Sequence, residues 1–395
     1  MRILYVISGL TLGGAEKQLV GLSKQLVRRG HEVAIYTLND DVPRKAELHD
    51  SGVGLTIDQK RSKLDPGVLL RLRGRIRSWQ PDIVHGFLFD GDFYARLAAA
   101  GTGIPVLNSE RNDDYRLSWQ QAIAHRLTRA FADGVVANTF SGKSFAERLF
   151  GLAGERVHVV WNGIDLEELE RDAAASDLDY RLVFFGGAAV RVACLVGAIK
   201  PQKNYHLALD SAVRLIAMDP AWRVLFVGDQ LASVGRYKAG PTSDTAAYKA
   251  AVLRHYERLD MSDRIRFCGR RNDVAAILKQ SDVLFVTSLH EGFPNVVLEA
   301  MALGVPVVST EYSDIRRILP FPEQVISRHS PDDVARAVIW AHAHCAVIAA
   351  RQTAWVRREA TLEKAAGELE NVYRKYLRGG SRARSEPLYL RGGGR

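Results

Sequence analysis

Ser288–Leu289–His290–Glu291–Gly292–Phe293–Pro294–Asn295–Val296–Val297–Leu298–Glu299 follows the apolar run Val283–Thr287 and leads into another, Val305–Ser309. The order is strand, acid, glycine turn, helix start, acid. A helix N-terminus presents N–H groups without intrahelical partners and the positive end of the helix dipole, which suits a phosphate. A carboxylate just beyond it accepts hydrogen bonds from ribose or sugar hydroxyls. A strand that hands its chain to a helix through such a turn predicts a parallel α/β sheet with its site at the strand ends.

The same grammar recurs on both sides of this stretch. Upstream, Arg2–Ile7 reads as a strand, Ser8–Gly14 as a glycine-bearing loop, and Ala15–Arg29 as a helix with Leu19, Leu22 and Leu26 on one side. Gly30 ends that helix, and Glu32–Leu38 is the next strand. Strands are also expected at Asp82–His85, Val106–Ser109, Gly134–Asn138, Val157–Trp161, Arg191–Val196, Arg223–Val227 and Ile265–Cys268. The fold class is α/β, with two doubly wound Rossmann-like domains facing a central cleft. Residues 1–170 form the first domain, 171–190 an acidic, alanine-rich linker, and 191–353 the second domain. A final helix over 354–377 is expected to pack back toward the first domain, and 378–395 to be a basic, disordered tail.

Length and composition agree. A chain of 395 residues exceeds the usual size of one core. Three cysteines, Cys194, Cys268 and Cys345, are too few and too scattered for a disulfide framework or a zinc site, so a reducing cytoplasm is expected. No stretch approaches the apolar length of a membrane span, and the first residues read as a strand rather than a signal peptide. The net charge of +9 calls for an acidic partner. Part of it lies in Lys60–Arg61–Ser62–Lys63 with Arg71, Arg73, Arg75 and Arg77, which reads either as a solvated face or as a patch drawn to anionic lipid on the inner face of a membrane.

Glu291 and Glu299 bracket seven residues, and this cassette resembles the E-x7-E signature of glycosyltransferase family 4. The resemblance extends from Arg2 to about Leu377. It implies the GT-B fold and a retaining, metal-independent hexosyltransferase that needs no cofactor beyond its co-substrate, a nucleotide diphosphate sugar. It also implies a lipid-linked or polysaccharide acceptor, as in cell-envelope or exopolysaccharide synthesis, and no nucleic acid partner. On this reading Glu291 faces the donor sugar, Glu299 the ribose, and the backbone of Gly292, Phe293, Pro294, Asn295 and Val296 the phosphates. Gly197 through Asn204 resembles the family's Val-Gly-Arg…Lys-Asn motif, with Lys203 and Asn204 matching; Lys203 then stabilises the departing diphosphate. The match breaks at Ala198, where the family usually carries a phosphate-binding arginine. Lys200, two residues on and pointing the same way in extended backbone, is read as a replacement.

Gly13–Gly14 opens the first helix and, by resemblance, approaches donor and acceptor; Glu16 follows on the acceptor side. Arg270 lies by resemblance near the base, or is simply a surface arginine. His85, at a strand end, is either an acid/base and acceptor-orienting residue or a satisfied structural histidine. Arg111 and Asn112 close another strand and suit an acceptor phosphate. Asp314 and Arg316 resemble one subset of the family and are read as selecting donor or acceptor. Other chemistries fit less well. Gly9, Gly13 and Gly14 do not make the G-x-G-x-x-G of a nicotinamide enzyme. Asp90–Gly91–Asp92 is the one candidate cation site, and helical spacing sets Glu291 and Glu299 farther apart than a glycosidase pair. A sugar-nucleotide-binding protein without transferase activity is the remaining alternative.

Overall fold

The computed structural model describes residues 1–62, 64–111, 118–152, 154–187, 189–228 and 243–378. Two all-parallel sheets organise them. The first has seven strands in the order β3-β2-β1-β4-β5-β6-β7. These are β1 (Arg2–Ile7), β2 (Glu32–Thr37), β3 (Gly54–Ile57), β4 (Ile83–Phe87), β5 (Val106–Glu110), β6 (Gly134–Ala137) and β7 (Val157–Val159). The second has six, in the order β10-β9-β8-β11-β12-β13. These are β8 (Arg191–Gly197), β9 (Trp222–Gly228), β10 (Ile265–Phe267), β11 (Val283–Val286), β12 (Val307–Thr310) and β13 (Val325–Ile326). Strands covered on both faces need apolar residues at every position rather than at alternate ones. Ile3 to Ile7 and Val283 to Phe285 meet this requirement and are buried throughout.

Each sheet reverses its strand order beside its own first strand. β1 lies between β2 and β4, and β8 lies between β9 and β11. Ligand crevices open beyond the carboxyl ends at such reversals. In the first sheet that position carries the loop from Ser8 to Gly13; in the second it carries Gly197–Asn204 and Thr287–Pro294. The strand-to-helix turn at Asn204 has φ +50°, a left-handed conformation that asparagine tolerates better than most residues.

The chain crosses between the halves twice, and the crossings run side by side. Ile164 N–H donates to Ala360 O at 2.9 Å, and Leu362 N–H donates to Ile164 O at 3.0 Å. Gly163 lies so close to Leu362 that a Cβ there would meet the Leu362 backbone. From this crossing the helix Leu362–Arg378 packs Leu369, Val372 and Tyr373 into the core of the first half beside Leu19, Leu22 and Leu26.

The stretch expected as one final helix is two, Cys345–Glu359 and Leu362–Arg378, because Ala360–Thr361 leave helical geometry to pair with Ile164. The expected linker is also more ordered than its acidic composition implied. Helices Leu166–Ala174 and Tyr180–Phe185 occupy it, and Leu169 and Tyr180 enter the core of the second half. The basic segment leads into the helix Pro66–Trp79, but much of its charge is engaged inside the molecule. Lys60 pairs with Asp90, Arg71 with Asp58 at 2.7 Å, and Arg73 donates to the carbonyls of Ala98 and Ala100. Lys63 and residues 379–395 lie outside the described residues. Among the described residues no helix is long and apolar enough to cross a membrane. Cys194 is buried, Cys268 half-buried and Cys345 exposed, and all are free thiols.

Candidate active site

The turn after β11 is held by its own side chains. Glu291 Oε1 accepts from Ser288 Oγ at 2.8 Å and lies 2.5 Å from Lys203 Nζ. Its other oxygen accepts from Gln202 Nε2 at 3.2 Å. Gln202 also donates to His290 O, and its own carbonyl accepts from Leu289 N–H at 2.8 Å. The loops after β8 and β11 are thus stitched together, with the Glu291–Lys203 pair at the seam. Lys203 packs its stem against Gly197, where a Cβ would fall 3.2 Å from Lys203 Cε. Glycine there gives the lysine room to lie along the strand end.

The helix Asn295–Ala302 starts where the two halves touch. Asn295 Nδ2 donates to Gly14 O at 3.2 Å, and Asn295 Oδ1 accepts from Asn162 Nδ2 at 2.8 Å. Gln18 joins this contact, exchanging hydrogen bonds with both backbone groups of Gly163 at 2.8 and 3.0 Å. A Cβ at Gly292 would collide with Arg111 O, so only glycine lets the Glu291 turn rest on the end of β5. Gly14, Asn162, Phe293 and Asn295 therefore meet in one floor of contact between the halves.

Beside that floor is a cleft of about 550 Å³. Lys17, Gly21 and Lys24 line it from the first helix; Gly197, Ala198, Gly228, Arg270 and Glu299 line it from the second half. Gly228 has φ +149° and approaches the Gly197 carbonyl too closely for any side chain, which leaves the cleft bare backbone at that spot. Glu299 Oε1 lies 2.5 Å from Lys17 Nζ, an ion pair from one half to the other. Burial opposes the Lys17 charge, but the Glu299 carboxylate outweighs it and holds the ammonium above its ordinary pKa.

Several expected site residues stand elsewhere. His85 is a structural histidine. The sequence reading ended β4 at His85, but the strand continues to Phe87, so the imidazole lies inside the strand under the helix Leu362–Arg378. Its Nδ1 is 2.7 Å from Tyr373 Oη and its Nε2 2.9 Å from Ser109 Oγ, and the ring is fully buried. Burial and then the Arg111 charge push its pKa well below the ordinary value. It touches no cleft surface and cannot act as acid or base on a substrate.

Glu16 turns back over Gly13 and accepts from Thr11 Oγ1 at 2.6 Å, which covers the first helix N-terminus with a carboxylate. Lys200 is exposed and does not line the cleft that Ala198 lines. Arg111 stacks 4.6 Å above Phe87 and donates to Asn162 Oδ1 at 3.1 Å. Burial lowers its pKa to about 10, which leaves it charged at neutral pH. Asn112 lies outside the described residues. Asp314 accepts from the backbone N–H groups of Phe140 and Ser141 at 2.7 and 3.2 Å, so it caps a first-half helix across the interface. Arg316 pairs with Glu311. Asp90 and Asp92 are split: one pairs with Lys60, the other is buried beside Ser109 N–H. Among the described residues no three His, Cys, Asp or Glu side chains gather as a ligand set for a metal.

Sequence reasoning passed over Lys17, Gln18, Gln202 and Asn162. Lys17, Gly21 and Lys24 are spaced as one helical face, and this was the available signal for that wall. Nothing local marks Gln18 or Asn162, whose partners come from the other half.

The two parallel sheets have counterparts among known proteins. Residues 12–168 match the family model described as Glycosyltransferase Family 4, and residues 190–344 match that of Glycosyl transferases group 1. The chain belongs to glycosyltransferase family 4. A D-inositol 3-phosphate glycosyltransferase of Rhodococcus opacus is 28% identical to this glycosyltransferase over 361 residues, 82% of this chain and 77% of the relative. EpsF of Bacillus subtilis, named as a glycosyltransferase, is 26% identical over 326 residues, 78% and 79% of the two chains. The solved structure of Anabaena HepE in complex with UDP-glucose superposes with a TM-score of 0.78 at 19% identity, covering 95% of this glycosyltransferase and all of that chain. A glycosyltransferase structure from Rickettsia africae gives 0.77 at 15% identity, covering 95% and 98%. These solved structures establish the GT-B fold of this glycosyltransferase.

Proposed function

We propose that this glycosyltransferase moves a hexose from a nucleotide diphosphate sugar to a hydroxyl of a lipid-linked or saccharide acceptor, with retention at the anomeric carbon and without a metal. The observation that carries the reading is the Lys203–Glu291 ion pair at 2.5 Å, seated where the Gly292 turn meets the Arg111 carbonyl. A sugar arriving there finds a carboxylate for its hydroxyls. The displaced ammonium then lies where negative charge develops on the leaving diphosphate, which is the position that lowers a barrier. The backbone N–H groups at the start of Asn295–Ala302 add the positive end of a helix dipole. Glu299 is left for the ribose, and the 550 Å³ cleft falls within the usual size range of ligand sites.

The named relatives include an inositol 3-phosphate glycosyltransferase, and HepE was solved with UDP-glucose; both favour a sugar nucleotide and a hydroxyl acceptor. The family resemblance, not the geometry, supplies retention. The protein's place is then at the cytoplasmic face of a membrane when the acceptor is lipid-linked. The test is incubation of the pure protein, with EDTA present, with a panel of nucleotide sugars and acceptors, reading nucleoside diphosphate release and the anomeric configuration of the product by NMR. Transfer with inverted configuration would overturn retention. Donor binding without turnover on any acceptor would instead favour a sugar-nucleotide-binding protein.

A further inference from the structure

The two acids that bracket the glycine turn are both held by lysines at the same distance. Glu291 holds Lys203 from its own half, and Glu299 holds Lys17 from the other half, each at 2.5 Å. The two lysines differ in where they start. Lys203 stands at the end of the β8 loop, beside Gly197. Lys17 projects from the first turns of the helix Gly14–Arg28 and reaches across the cleft. Below it, on the β8 side, the wall is Gly197, Ala198 and Gly228, which offer no cation.

We propose that Lys17 is a diphosphate-binding residue, supplying from the opposite wall the charge that Ala198 cannot. The argument follows from displacement. A ribose that hydrogen-bonds Glu299 takes the place of the Lys17 ammonium. That ammonium then needs another anion within reach of a flexible four-carbon stem, and the diphosphate arriving with the ribose is that anion. Lys24 and Arg270 also line the cleft, and two further cations there are committed to partners of their own. Arg44 is held by Thr11 O at 3.0 Å and Glu47 at 2.6 Å. Arg271 is forked onto Asp273. Lys200 is exposed and does not line the cleft. The first helix cannot offer its own N-terminal amides instead, because Glu16 already lies over Gly13.

The consequence is that diphosphate recognition is shared between the halves. A second-half lysine and a first-half lysine meet the same group, so donor affinity depends on the cleft being closed. This inference rests on the donor reading above, and its test separates the two. Calorimetry with UDP, ADP and GDP, beside uridine, adenosine and guanosine, first finds the nucleotide that the wild type binds. Lys17→Met is then expected to weaken binding of that nucleoside diphosphate by about tenfold or more, while the nucleoside binds as well as before or more tightly, because Glu299 is freed. Adding Ala198→Arg to Lys17→Met is expected to recover most of the lost affinity, since a guanidinium returns to the other wall. An unchanged nucleoside diphosphate affinity in Lys17→Met overturns the inference alone. So does an equal loss for nucleoside and nucleoside diphosphate, which would make Lys17 a clasp and no more. Absence of nucleoside diphosphate binding by the wild type overturns the donor reading and this inference together.

Discussion

His85 and Glu291 occupy comparable places in the two halves, near the carboxyl end of a strand flanking the sheet's first strand, and their surroundings are opposite. Both ring nitrogens of His85 are answered by buried hydroxyls, and the Tyr5 hydroxyl closes the group by bonding Tyr373 at 2.9 Å. Around Glu291 the partners are a lysine, an amide and a hydroxyl at the edge of a cleft, and the carboxylate side chain keeps 13% of its exposure. The difference is the helix Leu362–Arg378, which covers the first sheet and leaves the second sheet's switch point open. A polar residue near a strand end is catalytic only if nothing in the tertiary structure roofs it over.

The contrast is sharpened first by Glu291→Gln, which keeps the shape and one acceptor oxygen but removes the charge that holds Lys203. Turnover should fall by about a hundredfold to a thousandfold with little change in melting temperature. A loss of less than about threefold would remove Glu291 from the chemistry. Gly292→Ala should come next. Its Cβ forces the turn away from Arg111 O, and displacing a positioned carboxylate by even an ångström costs roughly 10- to 100-fold in kcat/KM. His85→Phe should show the opposite signature. It leaves the Ser109 hydroxyl without its ring partner and Tyr373 with Tyr5 alone, so denaturant unfolding should reveal a loss of about 1–3 kcal/mol. Turnover per folded molecule should stay within about threefold. A selective loss of kcat in a fully folded His85→Phe protein would break the comparison.

The histidines also set a pH dependence of stability. Burial, and then the Arg96 charge, lowers the pKa of His125 to about 4. Burial and Lys375 do the same to His158, and His85 is likewise depressed. Each binds fewer protons folded than unfolded below about pH 6.5, so its contribution to stability falls as pH drops, and the three together exceed the opposite contribution of buried Asp92, whose pKa is raised to about 7. The slope is at most about 1.4 kcal/mol per pH unit for each histidine, from near 6.5 down to its folded value. Chemical unfolding from pH 7 to 4.5 should show this decline, and His85→Phe should show a shallower one. The smallest effect is expected for Gly14→Ala. Its Cβ would sit 3.1 Å from the Asn295 amide, which must yield slightly, at a cost of about 0.5 kcal/mol or roughly twofold in kcat/KM.

What could be read from the residues was what the chain says locally. The apolar runs of β1 and β11, the glycine turn at Gly292 and the spacing of Glu291 and Glu299 all act within about a dozen residues, and their elements stand as expected. Lys203 was legible for the same reason. His85 was misplaced because strand boundaries are set by pairing: β1 extends alongside β4 to the Ile7–Phe87 pair and carries the strand two residues further. Lys17, Gln18 and Asp314 take their roles from partners that lie beyond 140 residues away in the chain, and no local pattern announces them. The acidic run before β8 looked like a linker because its charged face was conspicuous; its buried Leu169 and Ala173 were the quieter half of an amphipathic helix.

The hydrogen bond between Tyr5 and Tyr373 joins residues 368 positions apart. During synthesis, then, the first strand leaves the ribosome long before the helix that covers it. At usual rates of elongation the interval is roughly 20–70 s. Throughout it, the face of the first sheet around Tyr5 and His85 is unroofed, while the second half can complete its sheet from contiguous residues. Maturation of the enzyme would thus run backwards along its chain: the half made second settles first, and the half made first is finished only when the returning helix arrives.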